Sequence, residues 1–288
     1  MRQTHCLICN SGGLHPLKGY ERHDLAVCDA CGFVFMYRIP TVEELTEHYK
    51  TYSYTGSPGV NTLISFQKLL DEFEPFRETN NILDFGCGRG WFLDEAKKRG
   101  WNVYGTEFSA DAIALCEQKG IVMKQGDLLS SDFNGVRFDV VFCSEVIEHV
   151  NDPVPQLQSM YKVLRPGGCL YLTTPNFNCY LRYQFGPDYN IVEYPEHLCY
   201  FTKKTMDMAL QKAGFVKKSL RTTGISLSRA AGSQHTGTIQ ATVKQKDENL
   251  RKAMNSNRML NLLKETANAA LTITGLGFTI KAMYLKVR

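Results

Sequence analysis

Two pairs of cysteines close to the beginning of the sequence have the spacing of metal ligands. Cys6 and Cys9 form one C-x2-C pair, and Cys28 and Cys31 form a second. This spacing lets both thiolates of a tight turn face one ion, and four thiolates leave a tetrahedral zinc ion with no open coordination position. A disulfide pair or a redox dithiol is the competing interpretation, but no thioredoxin-like pattern of strand and helix surrounds these cysteines. We therefore expect a structural zinc ion bound by all four.

A glycine-rich loop is the second feature that indicates chemistry. It runs from Asp84 through Gly86, Cys87 and Gly88 to Gly90. Glycines let the backbone approach a ligand closely, and the amino end of the helix that follows presents unpaired N–H groups. A nicotinamide-dinucleotide site would use the longer G-x-G-x-x-G loop around a pyrophosphate, which the carboxylate of Asp84 would repel. The loop therefore favours a ligand with a cationic amino acid moiety.

Two further carboxylates follow the next two apolar runs of the chain. Glu107 comes at the end of residues 103–106, where a carboxylate can accept hydrogen bonds from both hydroxyls of an adenosine ribose. Asp127 follows residues 122–125 and is placed to accept from an adenine amino group, although a surface-loop carboxylate is an equally good interpretation of it. Together with Asp84, these residues make one coherent ligand site after three successive strands.

The elements that must position these residues alternate along the chain from residue 81. Helical patterns separate the apolar runs that we predict to be strands, which are residues 81–85, 102–106, 122–125, 138–142, 169–174, 216–222 and 278–287. Such alternation predicts a mostly parallel sheet covered on both faces, which is a doubly wound α/β fold. Ligands bind at the carboxyl ends of the strands in this fold, where all three carboxylates are found.

The stretch from about residue 60 to 222 resembles class I S-adenosylmethionine-dependent methyltransferases, a group that includes ubiquinone-biosynthesis O-methyltransferases and many sugar and natural-product methyltransferases. The motifs that carry the resemblance are ILDFGCGRG at 82–90, Glu107, FDVV at 138–141, EVIEHVNDP at 145–153 and LRPGG at 164–168. The resemblance implies a seven-stranded Rossmann-like sheet and S-adenosylmethionine as the cofactor. It also implies that Glu107 holds the ribose, that Gly86 and Gly88 line the methionine part, and that the full cofactor site comprises Asp84, Gly86, Cys87, Gly88, Gly90, Glu107, Phe108, Asp127, Leu128 and Ser144.

Methyl transfer to an alcohol needs a group that removes the hydroxyl proton, and histidine is well suited to this at neutral pH. His149, which follows Glu148, and His197 both lie after predicted strands of the sheet. We favour His197 as the base, because its segment resembles the substrate-facing loop of sugar methyltransferases, and keep His149 as the alternative. In the quinone O-methyltransferases a comparable Glu-His stretch is associated with a divalent cation, so Glu145, Glu148 and His149 are candidate ligands for such an ion.

Several acceptors are compatible with these motifs. The ribbon followed by a tyrosine-rich segment resembles bacterial methyltransferases of surface-polysaccharide and deoxysugar pathways, so we expect O-methylation of a sugar or sugar nucleotide. A zinc-ribbon rRNA-type methyltransferase, a quinone or phenol O-methyltransferase and a non-catalytic assembly protein are the alternatives. The net charge of +4 is too small to indicate nucleic acid by itself, although residues 244–288 carry nine basic and only three acidic side chains.

The sequence also predicts a domain organisation. We expect a zinc ribbon at residues 1–38, a helical linker at 39–59 and the methyltransferase domain at 60–288, with a helical insertion at about 224–274. The other six cysteines read as core thiols. The polar beginning of the sequence and the absence of an apolar run of about 18 residues predict a cytoplasmic protein without a membrane span, and a homodimer is possible.

Overall fold

The computed structural model describes residues 2–41, 44, 57–128, 133–189, 191–192, 196–224 and 258–287. Its strands are β1 (Leu14–Pro16), β2 (Leu25–Cys28), β3 (Val34–Met36), β4 (Asn81–Phe85), β5 (Asn102–Glu107), β6 (Val122–Gln125), β7 (Phe138–Ser144), β8 (Leu164–Pro175), β9 (Cys199–Tyr200), β10 (Val216–Thr223) and β11 (Thr279–Leu285). Its α-helices are α1 (Val60–Phe73), α2 (Trp91–Lys98), α3 (Ala110–Gln118), α4 (Pro153–Val163), α5 (Tyr180–Phe185), α6 (Lys203–Lys212) and α7 (Arg258–Thr274).

Seven of these strands form the central sheet, in the order β10-β11-β8-β7-β4-β5-β6. Strands β6, β5, β4, β7 and β8 run parallel, and β11 is inserted antiparallel between β8 and β10. The chain order reverses between β4 and β7, which is the switch point where open sheets of this kind bind ligands. The prediction of a doubly wound, mostly parallel α/β sheet is confirmed.

The alternation of side chains along β7 explains why its apolar run forms a central strand. Val140 and Phe142 pack into the layer that contains α1 and α2, whereas Val141 and Cys143 pack into the layer on the other face. Both sets are buried. A strand covered on both faces needs apolar residues along its length, which is why β7 is apolar apart from Asp139 and its last residue, Ser144.

Local signals in the sequence define the ends of two helices near the site. Thr202 caps α6: its hydroxyl accepts from the Thr205 amide at 3.2 Å, and the Thr205 hydroxyl accepts from the Thr202 amide at 2.9 Å. Helix α2 begins directly after Gly90, whose φ of 71° lies in the left-handed region. The glycine loop therefore leads straight into the amino end of α2.

The ribbon forms a second sheet, in the order β1-β2-β3-β9, so its fourth strand comes from the part of the chain between β8 and β10. The rings of Phe33 and Phe201 lie 5.1 Å apart at this junction and both are fully buried. The ribbon residues accordingly belong to the same hydrophobic core as β8, α4 and α6.

Some predicted elements lie outside the described residues. Of the linker, the structure describes only 39–41, 44 and 57–59. Of the predicted helical insertion at about 224–274, it describes residue 224 and, from Arg258, helix α7, which lies between β10 and β11 in the chain. Within the described part of the chain, no helix is both long enough and apolar enough to cross a membrane.

Candidate active site and zinc site

The glycine loop folds against the end of the neighbouring strand β5. The amides of Gly86 and Cys87 both donate to the carbonyl of Thr106, each at 3.0 Å. Gly86 has a φ of 73°, and a Cβ added to it would stand 2.7 Å from the side chain of Val146. Glycine is needed here both for the backbone conformation and for the close approach, as the loop motif predicted.

Glu107 is buried, with 7% of its surface exposed, at the end of β5. One carboxylate oxygen accepts from the Gly88 amide at 2.9 Å, and the other accepts from the amides of Phe108 and Ser109 at 2.8 and 3.1 Å. These bonds fix the carboxylate beside the glycine loop. Because an ionised carboxylate has about four acceptor sites, it retains capacity for ligand hydroxyls.

Asp84 lies at the end of β4 and is 4% exposed. Its carboxylate has no hydrogen-bond partner among the residues that the structure describes. Burial, followed by the charges of Cys116 and Glu107, raises the pKa of Asp84 well above its usual value. A buried carboxylate without a partner is costly, and a cationic amino group is the ligand that would satisfy it. This fits the methionine ammonium of S-adenosylmethionine.

The remaining cofactor candidates lie at the ends of β5, β6 and β7. The Phe108 ring is 56% exposed directly after Glu107, and a Cβ added to Gly126 would lie 3.8 Å from it. Asp127 is exposed after β6, whereas Leu128 is fully buried in the core. Ser144 ends β7, and its hydroxyl is 2.8 Å from that of Thr173 on β8.

A group of polar side chains lines the carboxyl edge where β7 and β8 end. Thr173 donates to the carboxylate of Glu145 at 2.9 Å. Glu145 has a φ of 55°, which is rare for a residue other than glycine and is typical of functional sites. Thr173 and Thr174 carry no functional signal in the sequence, because threonines at the end of a buried strand look like ordinary strand residues.

The structure brings the two candidate base histidines together, although 47 residues separate them in the sequence. The rings of His149 and His197 lie 4.8 Å apart, centroid to centroid, and cross at 73°. Each Nδ1 is 2.7 Å from a backbone carbonyl, that of Glu196 for His149 and that of Ile191 for His197. Since a carbonyl only accepts, each Nδ1 carries the proton, and Nε2 is the basic nitrogen of both rings.

Glu148 completes this cluster from a buried position. Its carboxylate accepts from the Thr174 hydroxyl at 2.9 Å and lies 3.9 Å from Nε2 of His149. Burial, with a smaller effect from the neighbouring His197, lowers the pKa of His149 to about 4, so His149 is neutral at pH 7. One ligand atom from each of Glu148, His149 and His197 lies within 4.8 Å of the others, which is compatible with a shared cation.

The four ribbon cysteines form a cluster that fits a zinc ion. Their sulfur atoms lie within 4.8 Å of one another, and the Cys6–Cys31 and Cys9–Cys28 pairs are each 3.5 Å apart. Tetrahedral coordination with Zn–S bonds of about 2.3 Å places sulfurs about 3.8 Å apart. Burial alone would raise the pKa of Cys28, but hydrogen bonds from the Cys31 amide and from neighbouring groups lower it to about 7, which favours the thiolate that binds metal.

Solved structures with the same fold include an S-adenosylmethionine-dependent methyltransferase from Archaeoglobus fulgidus, with a TM-score of 0.50, 18% identity, and coverage of 77% of this chain and 93% of that one. They also include phosphoethanolamine N-methyltransferase 2 from Haemonchus contortus in complex with S-adenosyl-L-methionine, with a TM-score of 0.53, 17% identity, and coverage of 85% and 56%. These similarities show the fold.

Curated relatives include ubiquinone biosynthesis O-methyltransferases. The protein from Actinobacillus pleuropneumoniae is 29% identical over 42% of this chain and 58% of its own length, and that from Pseudomonas aeruginosa strain UCBPP-PA14 is 30% identical over 38% and 50%. The chain thus spans about half the length of the curated relatives it matches. The family described as "Methyltransferase domain" matches residues 63–220, which is more than half of the sequence, and the chain therefore belongs to that methyltransferase family.

Proposed function

We propose that the protein is an S-adenosylmethionine-dependent O-methyltransferase that acts on a hydroxyl group of a small polar acceptor, a sugar or a sugar nucleotide. The observation that carries the proposal is the histidine pair beside the ends of β7 and β8. Both rings keep a basic Nε2, and His149 is neutral at pH 7. A neutral imidazole is the group that accepts a hydroxyl proton at this pH.

The cofactor would be held by the residues around the glycine loop. Asp84 would pair with the methionine ammonium, Glu107 would accept from the ribose hydroxyls, and Phe108 and Asp127 would lie on the adenine side. When bound, S-adenosylmethionine supplies a methyl group on a positively charged sulfur. The tight glycine loop and the carboxylate of Asp84, which has no hydrogen-bond partner among the described residues, both favour this molecule over a dinucleotide.

His197 is the base in this proposal. Its Nδ1–H is held by the Ile191 carbonyl, which fixes the ring, and the basic nitrogen Nε2 would accept the hydroxyl proton as the methyl group arrives. The names of the ubiquinone biosynthesis O-methyltransferases support an oxygen acceptor. The polar wall of Ser144, Glu145 and Thr173 supports an acceptor with several hydroxyls, because carboxylate and hydroxyl side chains recognise such groups by hydrogen bonds.

A divalent cation is a second way to activate the acceptor, and the cluster of Glu148, His149 and His197 favours it. These residues would hold the ion through one carboxylate oxygen and two imidazole nitrogens. The ion would lower the pKa of a bound hydroxyl. In that version the histidines would be ligands, and the hydroxyl proton would pass to solvent water.

Transfer of a labelled methyl group tests the proposal. Wild-type protein is incubated with labelled S-adenosylmethionine and, separately, UDP-glucose, GDP-mannose, dTDP-rhamnose, catechol and total RNA. We expect label on a nucleotide sugar, with transfer reduced about 10²–10⁴-fold in His197→Ala. Label on catechol alone would select the phenol alternative, label on RNA alone would select the RNA methyltransferase, and tight cofactor binding without any transfer would support a non-catalytic protein.

A further inference from the structure

The ribbon and the segment that carries His197 share one β-sheet. Strand β3 pairs antiparallel with β9, with Val34 opposite Tyr200 and Phe35 opposite Cys199. Strand β9 begins two residues after His197. The ribbon therefore pairs with the segment that immediately follows the candidate base.

The backbone of Leu198, the residue next to His197, makes two hydrogen bonds to other parts of the fold. Its amide donates to the carbonyl of Glu148 at 2.8 Å, and its carbonyl accepts from the amide of Met36 at 2.9 Å. The side chain of Leu198 is fully buried. One residue thus connects the Glu148 cluster to the last residue of β3.

Tyr200 adds a side-chain link to the same place. Its hydroxyl donates to the carbonyl of His197 at 3.0 Å and lies 3.9 Å from the sulfur of Met36. The residue is 3% exposed, and its ring lies 5.2 Å from that of Phe177. The tyrosine therefore joins His197 to the ribbon in a buried setting, where a hydrogen bond restricts the backbone strongly.

The cysteine cluster lies at the turn between β2 and β3. Cys28 ends β2, and its amide donates to the carbonyl of Phe33 at 3.0 Å, which closes the turn between β2 and β3. Strand β2 in turn pairs with β3 along its full length, from Leu25 opposite Met36 to Val27 opposite Val34. A zinc ion on Cys28 and Cys31 would fix this hairpin, and the hairpin fixes β9.

We propose that the ribbon is a positioning element of the active site, in which the metal-stabilised β2–β3 hairpin holds Leu198 and Tyr200 and thereby sets the place of His197. Tyr200 is the positioning residue. The role given to His197 rests on the proposed function, whereas the mechanical coupling rests on the contacts alone. A ribbon that served only as a separate binding module would leave residues 196–201 unaffected by its metal.

Hydrogen–deuterium exchange on the full chain tests the coupling without any acceptor. Exchange is followed before and after zinc removal with a chelator, and in Tyr200→Phe with zinc retained. We expect faster exchange in residues 196–201 in both cases, by roughly threefold to tenfold for loss of one buried hydrogen bond in the variant. Residues 84–90 of the glycine loop should keep their rate. Unchanged exchange at 196–201 while residues 25–36 lose protection would overturn the proposal.

Kinetics with the nucleotide sugar that the wild type methylates then test the effect on His197. Tyr200→Phe should lower kcat by about threefold to tenfold with S-adenosylhomocysteine affinity unchanged, and its effect should disappear in the His197→Ala background. Tyr161→Phe, a partly buried tyrosine on α4 that packs on Phe215, is the control and should match the wild type. If Tyr200→Phe still lowered kcat in the His197→Ala background, the proposal that Tyr200 acts by positioning His197 would be wrong.

The exchange and the methylation measurements distinguish a failure of this inference from a failure of the proposed function. If no nucleotide sugar is methylated, the proposed function fails, but the exchange measurements still decide whether the ribbon holds residues 196–201. If methylation occurs and the exchange of residues 196–201 does not respond to zinc or to Tyr200→Phe, the proposed function stands and the positioning role is wrong.

Discussion

The carboxylate of Glu107 accepts a hydrogen bond from the amide of Gly88 at 2.9 Å, so the acidic residue that ends β5 is tied to the glycine loop that follows β4. The same carboxylate also fixes the turn after β5 through the amides of Phe108 and Ser109. Two neighbouring strand ends are thus organised around one side chain. A ligand that contacts this carboxylate therefore meets a preformed site.

Replacing Glu107 tests this site directly. Glu107→Ala should weaken binding of S-adenosylhomocysteine by about 2–4 kcal/mol, because hydrogen bonds to a charged acceptor are lost and the glycine loop is released. Isothermal titration calorimetry measures the change. Asp111→Ala, which removes an exposed carboxylate in the first turn of α3, is the matched control and should bind normally. Unchanged affinity in Glu107→Ala would remove Glu107 from the site.

Asp84 should destabilise the free protein but stabilise its complex with S-adenosylhomocysteine. Because burial raises its pKa, the folded state binds more protons than the unfolded state between pH 3.8 and the raised value, and the free energy of unfolding falls as the pH rises through that window. We expect Asp84→Asn to stabilise the free protein at pH 7 by about 1–3 kcal/mol and to weaken S-adenosylhomocysteine binding. Urea unfolding and calorimetry test both. A variant that is less stable and binds normally would contradict the assignment.

The cluster of Cys6, Cys9, Cys28 and Cys31 predicts a defined metal content. Wild-type protein purified without chelator should contain one zinc ion per chain, and Cys28→Ala should lose most of it, because three thiolates leave an open and weaker site. Cys169→Ala, at a buried cysteine on β8, is the control and should retain the metal. Elemental analysis by mass spectrometry makes the comparison. Wild-type protein without zinc would show the cluster to be four ordinary thiols.

His149 should make the protein sensitive to mild acid. Its pKa is about 4 when folded, whereas an unfolded histidine titrates near 6.5, so the unfolded state binds more protons between these values and stability is lost as the pH falls from about 6.5 to about 4. His149→Asn should lose less stability than the wild type between pH 7 and pH 5 in urea unfolding. His5→Asn, at an exposed histidine, should behave as the wild type. Parallel losses in all three proteins would exclude His149 as the cause.

The parts of the site predicted from sequence are those that follow strands with strong apolar patterns. The run Phe138–Asp139–Val140–Val141 indicates a buried strand by itself, and the positions of Asp84 and Glu107 follow from the strands they end. Strand β9 has only two residues and pairs with Val34 and Phe35, more than 160 positions away, so no local periodicity indicates it. The contact between His149 and His197 depends on that pairing and on Leu198, which is why the sequence offered two candidate bases but not their proximity.

The choice between a base and a cation site depends on these two histidines. If His197 is the base, His197→Ala should retain S-adenosylhomocysteine affinity and lose about 10²–10⁴-fold in kcat, the range for loss of a general base. His149→Ala should lose less, and turnover of the wild type should fall on the acid side, because an imidazolium accepts no proton. Treatment with EDTA should leave turnover unchanged, provided that zinc analysis shows the ribbon still loaded.

A cation held by Glu148, His149 and His197 predicts the opposite pattern, in which both histidine variants and Glu148→Gln lose similar activity and added Mg²⁺ or Mn²⁺ restores turnover after EDTA. Full activity of His197→Ala together with a loss in His149→Ala would transfer the base to His149, whose Nε2 lies 3.9 Å from the Glu148 carboxylate.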